Sequence, residues 1–191
     1  MKDKVRMVVF IVILGSIFTT TLVAVDNYTA PIIARNEELK RKASILKAFV
    51  IPYKEEEIEQ IFLENVTVKG EDEKSYYVSQ DGTIAFLFTG SGLWGPIKGA
   101  LAMNQDMKTI SRVEIIYQEE TPGLGSRIIE EAFLNRFKDK TFAPHLKMLP
   151  EGQAKGNDEI DGITGATMSS EALIAILNNQ YEQFSVMISG E

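Results

Sequence analysis

Three glycine-rich segments hold the residues of this chain whose types and spacing could do chemistry. One is Asp161-Gly162-Ile163-Thr164-Gly165-Ala166-Thr167-Met168-Ser169-Ser170, which opens an apolar-periodic run. A helix starting there leaves N–H groups unpaired and carries a partial positive charge, so it suits a phosphate or another anion. Gly165 and Ala166 keep the backbone uncrowded, and Thr164, Thr167, Ser169 and Ser170 add hydroxyls. The same residues also suit an ordinary capped helix start. A second segment, Gly90-Ser91-Gly92-Leu93-Trp94-Gly95, fits G-x-G-x-x-G after a strand-like run. The dinucleotide fingerprint needs a helix at its third glycine. Here Pro96, Ile97, Lys98 and Gly99 resume a strand, so that reading is rejected. What remains is either a plain bend or a loop that presents Leu93 and Trp94 to a flat aromatic ligand. The remaining segment, Glu119-Glu120-Thr121-Pro122-Gly123-Leu124-Gly125, carries a Pro-Gly turn and leads into Ser126.

Composition removes most other chemistries. The chain of 191 residues has no cysteine, which excludes disulfides, iron–sulfur clusters, thiolate zinc and a Cys nucleophile. One histidine, His145, excludes a multi-His metal site, and the absence of a Ser-His-Asp candidate set argues against hydrolase chemistry. With 20 basic and 27 acidic residues the net charge is −7, which disfavours nucleic acid as a partner. No metal site is expected, and no catalytic residue of the chain's own.

The elements that must position the three segments are legible as periods. Val66 and Val68 alternate with polar residues, and Tyr76, Tyr77 and Val78 form a second strand. Asp81-Gly82 marks a hairpin in which both central residues are expected at positive φ. Thr83–Thr89, Ile97–Met103 and Ile110–Tyr117 complete an antiparallel sheet, with a polar turn at 104–108. Ser126 is expected to cap a helix from Arg127 to about Lys138, with Ile128, Ala132, Phe133, Leu134 and Phe137 on its apolar face. Pro150 to Asp161 reads as loop. The last helix runs from about Met168 to Val186 on Leu173, Ile176, Leu177 and Phe184. The fold class is therefore α+β.

Ahead of this body, Met7 to Val25 contains no charge. As a helix it is roughly 28 Å long, close to a bilayer's hydrocarbon core. It exceeds the usual core of a signal peptide, the competing reading. Lys2, Lys4 and Arg6 favour a cytoplasmic N-terminus. Arg35, Lys40, Arg41 and Lys42 oppose it by simple count, but long domains translocate largely regardless of charge. The expected organisation is a single-pass anchor (1–26), a helical stalk and lead-in (27–60) and a body (61–191) outside the cytoplasm. Leu39, Ala43, Leu46 and Val50 give the stalk its stripe, and Pro31 permits a kink. Contact of Arg35 and Lys40 to Lys42 with anionic lipid is the alternative use of that region.

Taken together, the motifs G-L-W-G-P-I, E-T-P-G-L-G and D-G-I-T-G-A-T-M-S-S resemble those of the covalent FMN-binding domain family. The chain is similar to members that belong to ion-translocating oxidoreductase complexes. One is the G subunit of the Rnf type, which couples ferredoxin:NAD electron flow to Na⁺ or H⁺ movement. The other is the C subunit of the sodium-translocating NADH:quinone reductase type. The resemblance covers essentially the whole chain, and its compact length suits the Rnf type better. It implies FMN as cofactor, joined through its phosphate to Thr167, the last threonine of the motif. The motif's usual first residue is Ser, and Thr164 keeps the hydroxyl. It further implies that Gly165, Ala166, Ser169, Leu93, Trp94, Thr121, Gly123 and Leu124 lie near the cofactor. Implied partners are the other membrane and redox subunits, a flavin transferase for maturation and the lipid bilayer. The implied location is the cell (inner) membrane. A stand-alone FMN-linked reductase and a non-redox anchored binding or scaffold module are the competing classes, though the latter leaves the three segments unexplained.

Overall fold

The uncharged run becomes the first half of one long helix, α1 (Lys2–Ala48). The computed structural model describes residues 2–70 and 75–189. The chain divides into two compact units, Met1–Lys40 and Arg41–Glu191. Within the first unit α1 is long and apolar enough to cross a membrane. Its polar interruptions satisfy themselves: the Thr21 hydroxyl donates to the Ile17 carbonyl and that of Thr29 to Val25, each at 2.9 Å. The helix continues through Pro31, so the region after the span is a continuation of α1 and not a separate helix.

In the second unit, Ile45, Leu46 and Ala48 at the end of α1 are buried. Val50, expected on the same stripe, is exposed and lies beyond the helix with φ of 57°. The chain leaves helical geometry before Val50, so the helical period no longer applies to it. A short helix, α2 (Ile58–Asn65), leads into the sheet. Strands β1 (Val66–Lys69), β2 (Tyr76–Ser79), β3 (Ile84–Ser91), β4 (Pro96–Met103) and β5 (Ile110–Tyr117) pair in sequence order, all antiparallel. The β2–β3 turn differs from expectation. Only Gly82 takes positive φ, because three residues (Gln80 to Gly82) form the loop and Ser79 N–H donates to the Thr83 carbonyl. A single left-handed glycine after a type I turn is the geometry of a three-residue loop.

One sheet face carries the main core. Phe86, Phe88, Leu101, Met103 and Val113 pack with Leu173, Leu177 and Phe184 of α4 (Thr167–Ser189), and the Phe86 and Phe184 rings stack at 4.1 Å. Phe62 of α2 meets Tyr77 edge-on at 6.1 Å.

Two expectations are corrected here. The continuous helix from Arg127 to Lys138 is instead a 3₁₀ turn (Gly125–Ile129), a single α turn, α3 (Glu131–Leu134), and a second 3₁₀ turn (Asn135–Phe137), broken at extended Glu130. Ile128 and Phe133 are both fully buried, yet five residues apart on one α-helix they would point roughly 140° away from each other. The break lets both enter the core and leaves Ala132 exposed. Ser126 does not cap: its hydroxyl accepts from Gly123 N–H at 3.0 Å instead. The stretch 150–161 is also not all loop. Strand β7 (Glu159–Asp161) pairs in parallel with β6 (Lys147–Leu149). Each has three residues, too few to show a period.

Candidate functional site

The three glycine-rich segments converge on one open cleft of about 300 Å³. Gly92 to Gly95 form the tip of the β3–β4 hairpin, closed by Gly92 N–H donating to the Gly95 carbonyl at 2.8 Å. No helix opens at Gly95, which agrees with rejecting the dinucleotide fingerprint. Residues 119–125 run from β5 to the first 3₁₀ turn. Thr167 begins α4, where the first N–H groups of a helix have no intrahelical acceptor.

The lining brings together Leu93, Trp94, Thr121, Leu124, Gly165, Ala166, Thr167 and Ser169 of the sequence-derived set. Gly123 and Thr164 are exposed and outside the lining. The cleft is apolar at its rim: Trp94 is 72% exposed, Met168 62% and Leu124 54%. Thr167 is exposed, whereas Ala166 and Ser169 are buried beneath it.

Glu120, which the sequence reading did not single out, ties the segments together. It is 4% exposed. One carboxylate oxygen, Oε1, accepts from the N–H of Leu93 at 2.7 Å and of Trp94 at 3.4 Å. The other accepts from the Ser169 hydroxyl at 2.6 Å. Glycines make the approach possible. A Cβ at Gly125 would stand 2.5 Å from Ser169 Oγ and 2.8 Å from Glu120 Oε2, and one at Gly92 would strike Glu120 Oε1. Nothing in the spacing of Glu120 marks it out in the sequence.

A second set of bonds shapes the turn before α4. The Arg136 guanidinium donates to the carbonyls of Asp161 at 2.9 Å and Gly162 at 2.8 Å, and pairs with Glu151 at 3.1 Å. Glu151 accepts from the Thr164 hydroxyl at 2.6 Å. That hydroxyl bond, followed by the bond from Arg136, holds the Glu151 carboxyl below its ordinary pKa. Asp161 accepts from Gln153 N–H at 2.9 Å and Ala154 N–H at 2.8 Å, so its carboxylate is spent on the loop. Arg127 donates to the Thr164 carbonyl at 3.1 Å.

Residues 92–182, which take in the first segment from Gly92 onward and the other two whole, match the model of the FMN-binding domain. Over this stretch the chain is similar to the FMN-binding domain family. The chain is 32% identical over 122 residues to the G subunit of the proton-translocating ferredoxin:NAD(+) oxidoreductase complex of Clostridium ljungdahlii, a match covering 62% of this chain and 64% of that protein. It is 30% identical over 90 residues to the C subunit of the Na(+)-translocating NADH-quinone reductase of Vibrio alginolyticus, covering 44% of this chain and 35% of the relative. The matched part of this chain thus spans less than two thirds of the length of either relative. Two solved structures share the fold. NqrC of Shewanella oneidensis superposes with a TM-score of 0.71 at 16% identity, over 83% of this chain and all of that one. The C subunit of the Na(+)-translocating NADH-quinone reductase from Parabacteroides distasonis gives 0.67 at 26% identity, over 78% and 90%.

The cleft fits such a ligand in chemical kind. Leu93, Trp94, Leu124 and Met168 offer apolar surface for a planar ring system, and an exposed hydroxyl stands at a helix N-terminus for a phosphate arm. A Cβ built at Gly165 meets nothing within 4 Å, so the backbone beside Thr167 leaves open space.

Proposed function

We propose that this chain is an electron-transfer subunit that carries FMN, joined by a phosphoester to Thr167, in a membrane-bound ion-translocating oxidoreductase complex of the Rnf type. The observation that carries the reading is the convergence of the three segments on a cleft where an exposed threonine begins α4. When bound, FMN supplies the redox chemistry. The chain's own residues bind and orient: the first-turn N–H groups of α4 offset phosphate charge, and Leu93, Trp94 and Leu124 pack on the ring. A covalent tether keeps a cofactor from being lost by dilution outside the cytoplasm, with an effective concentration of order mM for a short link. A flavin transferase would make that bond, and other membrane and redox subunits would exchange electrons with the site. The body faces away from the cytoplasm on an anchor formed by the first part of α1.

The quinone-reductase type of complex is the second reading, supported by the fold shared with the two solved quinone-reductase subunits. The match to the Clostridium protein takes in 64% of that chain against 35% of the Vibrio one, which favours the first. Reduction of the purified complex by ferredoxin or by NADH separates them.

Mass spectrometry of the intact chain, co-expressed with a flavin transferase, tests the proposal. A single FMN adduct is expected, on the tryptic peptide holding Thr167. Thr167→Ala should fold, since loss of one hydroxyl at a helix start costs about 1 kcal/mol. It should lose flavin fluorescence in a denaturing gel, while Thr164→Ala keeps it. A flavin-bearing peptide in Thr167→Ala would overturn the attachment point, and a folded wild type without flavin would overturn the function.

A further inference from the structure

We propose that Glu120 is a positioning residue whose buried carboxylate fixes the Leu93–Trp94 hairpin tip against the first turn of α4. Its consequence for FMN rests on the function proposed above; the clamp itself does not.

The tip is not held by burial. Leu93 is 42% exposed and Trp94 72%, so apolar packing gives little to fix their place. The hairpin closes on itself through the Gly92–Gly95 bond, which sets its local shape but not its distance from α4. The β3 arm rests on α4 where Gly90 lies against Ile176, and Glu120 ties the tip beyond that point. Glu120 lies 27 residues from Leu93 and 49 from Ser169 in sequence, and its two oxygens accept from these two elements separately. Its own backbone is fixed by Glu120 N–H donating to the Gln118 side chain at 2.5 Å. Burying a carboxylate is costly unless its oxygens are satisfied. Among the described residues no lysine or arginine pairs with Glu120, so the compensation comes from these donors. A carboxylate is acceptor-only and offers two oxygens in a fixed fork, which matches donors arriving from two sides.

Substitutions separate positioning from charge. Glu120→Ala cuts both links. Glu120→Gln keeps them: its carbonyl accepts from Leu93 N–H, and its amide donates to Ser169 Oγ once the hydroxyl rotates. Ser169→Ala cuts one link only.

The reporter is built in, because Trp94 is the only tryptophan. Its fluorescence anisotropy decay is measured in the full chain in detergent, without flavin, alongside circular dichroism. In Glu120→Ala the fast component from local motion should grow at the expense of the slow one, with unchanged secondary structure. Glu120→Gln should match wild type, and Ser169→Ala should lie between. Wild-type decay in Glu120→Ala, or a Glu120→Gln tip as loose as Glu120→Ala, would overturn the clamp. Should Glu120→Ala not fold, Ser169→Ala decides: an unchanged decay there overturns the proposal. In flavinylated protein, Glu120→Ala should keep the covalent FMN but change its visible circular dichroism. A wild type that carries no FMN would defeat the proposed function and leave the anisotropy result standing.

Discussion

Thr164 and Thr167 belong to one motif, yet their surroundings give them different work. Thr167 is exposed in the cleft, whereas the Thr164 hydroxyl is spent on Glu151 and its carbonyl on Arg127. Thr164 therefore shapes the turn that presents Thr167. The Glu151 carboxyl is held below its ordinary value of 4.5, first by the Thr164 hydroxyl and then by Arg136. A depressed folded pKa means that this support is complete above the ordinary value and is lost as pH falls through the folded one. The side chain is open to solvent, so the effect is local. The protection of the Thr164 amide, measured against its intrinsic exchange rate at each pH, should thus fall at acid pH. Thr164→Val, which keeps the shape without the hydroxyl, should raise the Glu151 pKa towards its ordinary value in an NMR titration. An unchanged titration would show that the hydroxyl does not hold the carboxylate.

At the scale of elements, the sheet order and the last helix follow from periods that survive in the sequence. Strands β3, β4 and β5 each have eight residues, long enough for alternation or a continuous apolar run to register. The path from Gly125 to Phe137 departs from the expected helix although its apolar residues fit one by composition. Only their burial shows that Ile128 and Phe133 could not share one helical face. Pairing of β6 with β7 was hidden by strand length. The cleft was legible as three segments, but the acid joining them was not, since one Glu between Glu119 and Thr121 has no pattern of its own. Gly99 shows how tightly the sheet is built. It pairs with Phe88 across β3–β4, beside a register shift towards β5. A Cβ there would strike the Glu114 carbonyl and the Phe88 ring. Because one of these is backbone, Gly99→Ala should cost at least the ~1–3 kcal/mol typical of overpacking. Chemical denaturation of the body checks this. A midpoint equal to wild type would mean that the strands yield without cost.

At the scale of the whole molecule, the proposed function requires a topology that charge and apolar length make testable. Lys2, Lys4 and Arg6 lie ahead of the uncharged run, and Arg35 and Lys40 to Lys42 follow it. Counting alone would turn the chain round, but a body of this length crosses a membrane with little regard to its charge, whereas a short basic N-terminus resists crossing. The chain has no cysteine, so each one introduced is a unique label. Asp81 is a poor site for it, because its carboxylate accepts from Ser79 Oγ and Thr83 N–H and so shapes the β2–β3 turn. Lys138 is exposed and follows the second 3₁₀ turn, so Lys138→Cys should leave the fold intact. On intact spheroplasts Lys138→Cys should react with a membrane-impermeant maleimide, and Lys4→Cys should react only after lysis. The reverse pattern would put the cleft in the cytoplasm. There, dilution no longer explains a tether, and the electron partners would have to be sought on the other side of the membrane.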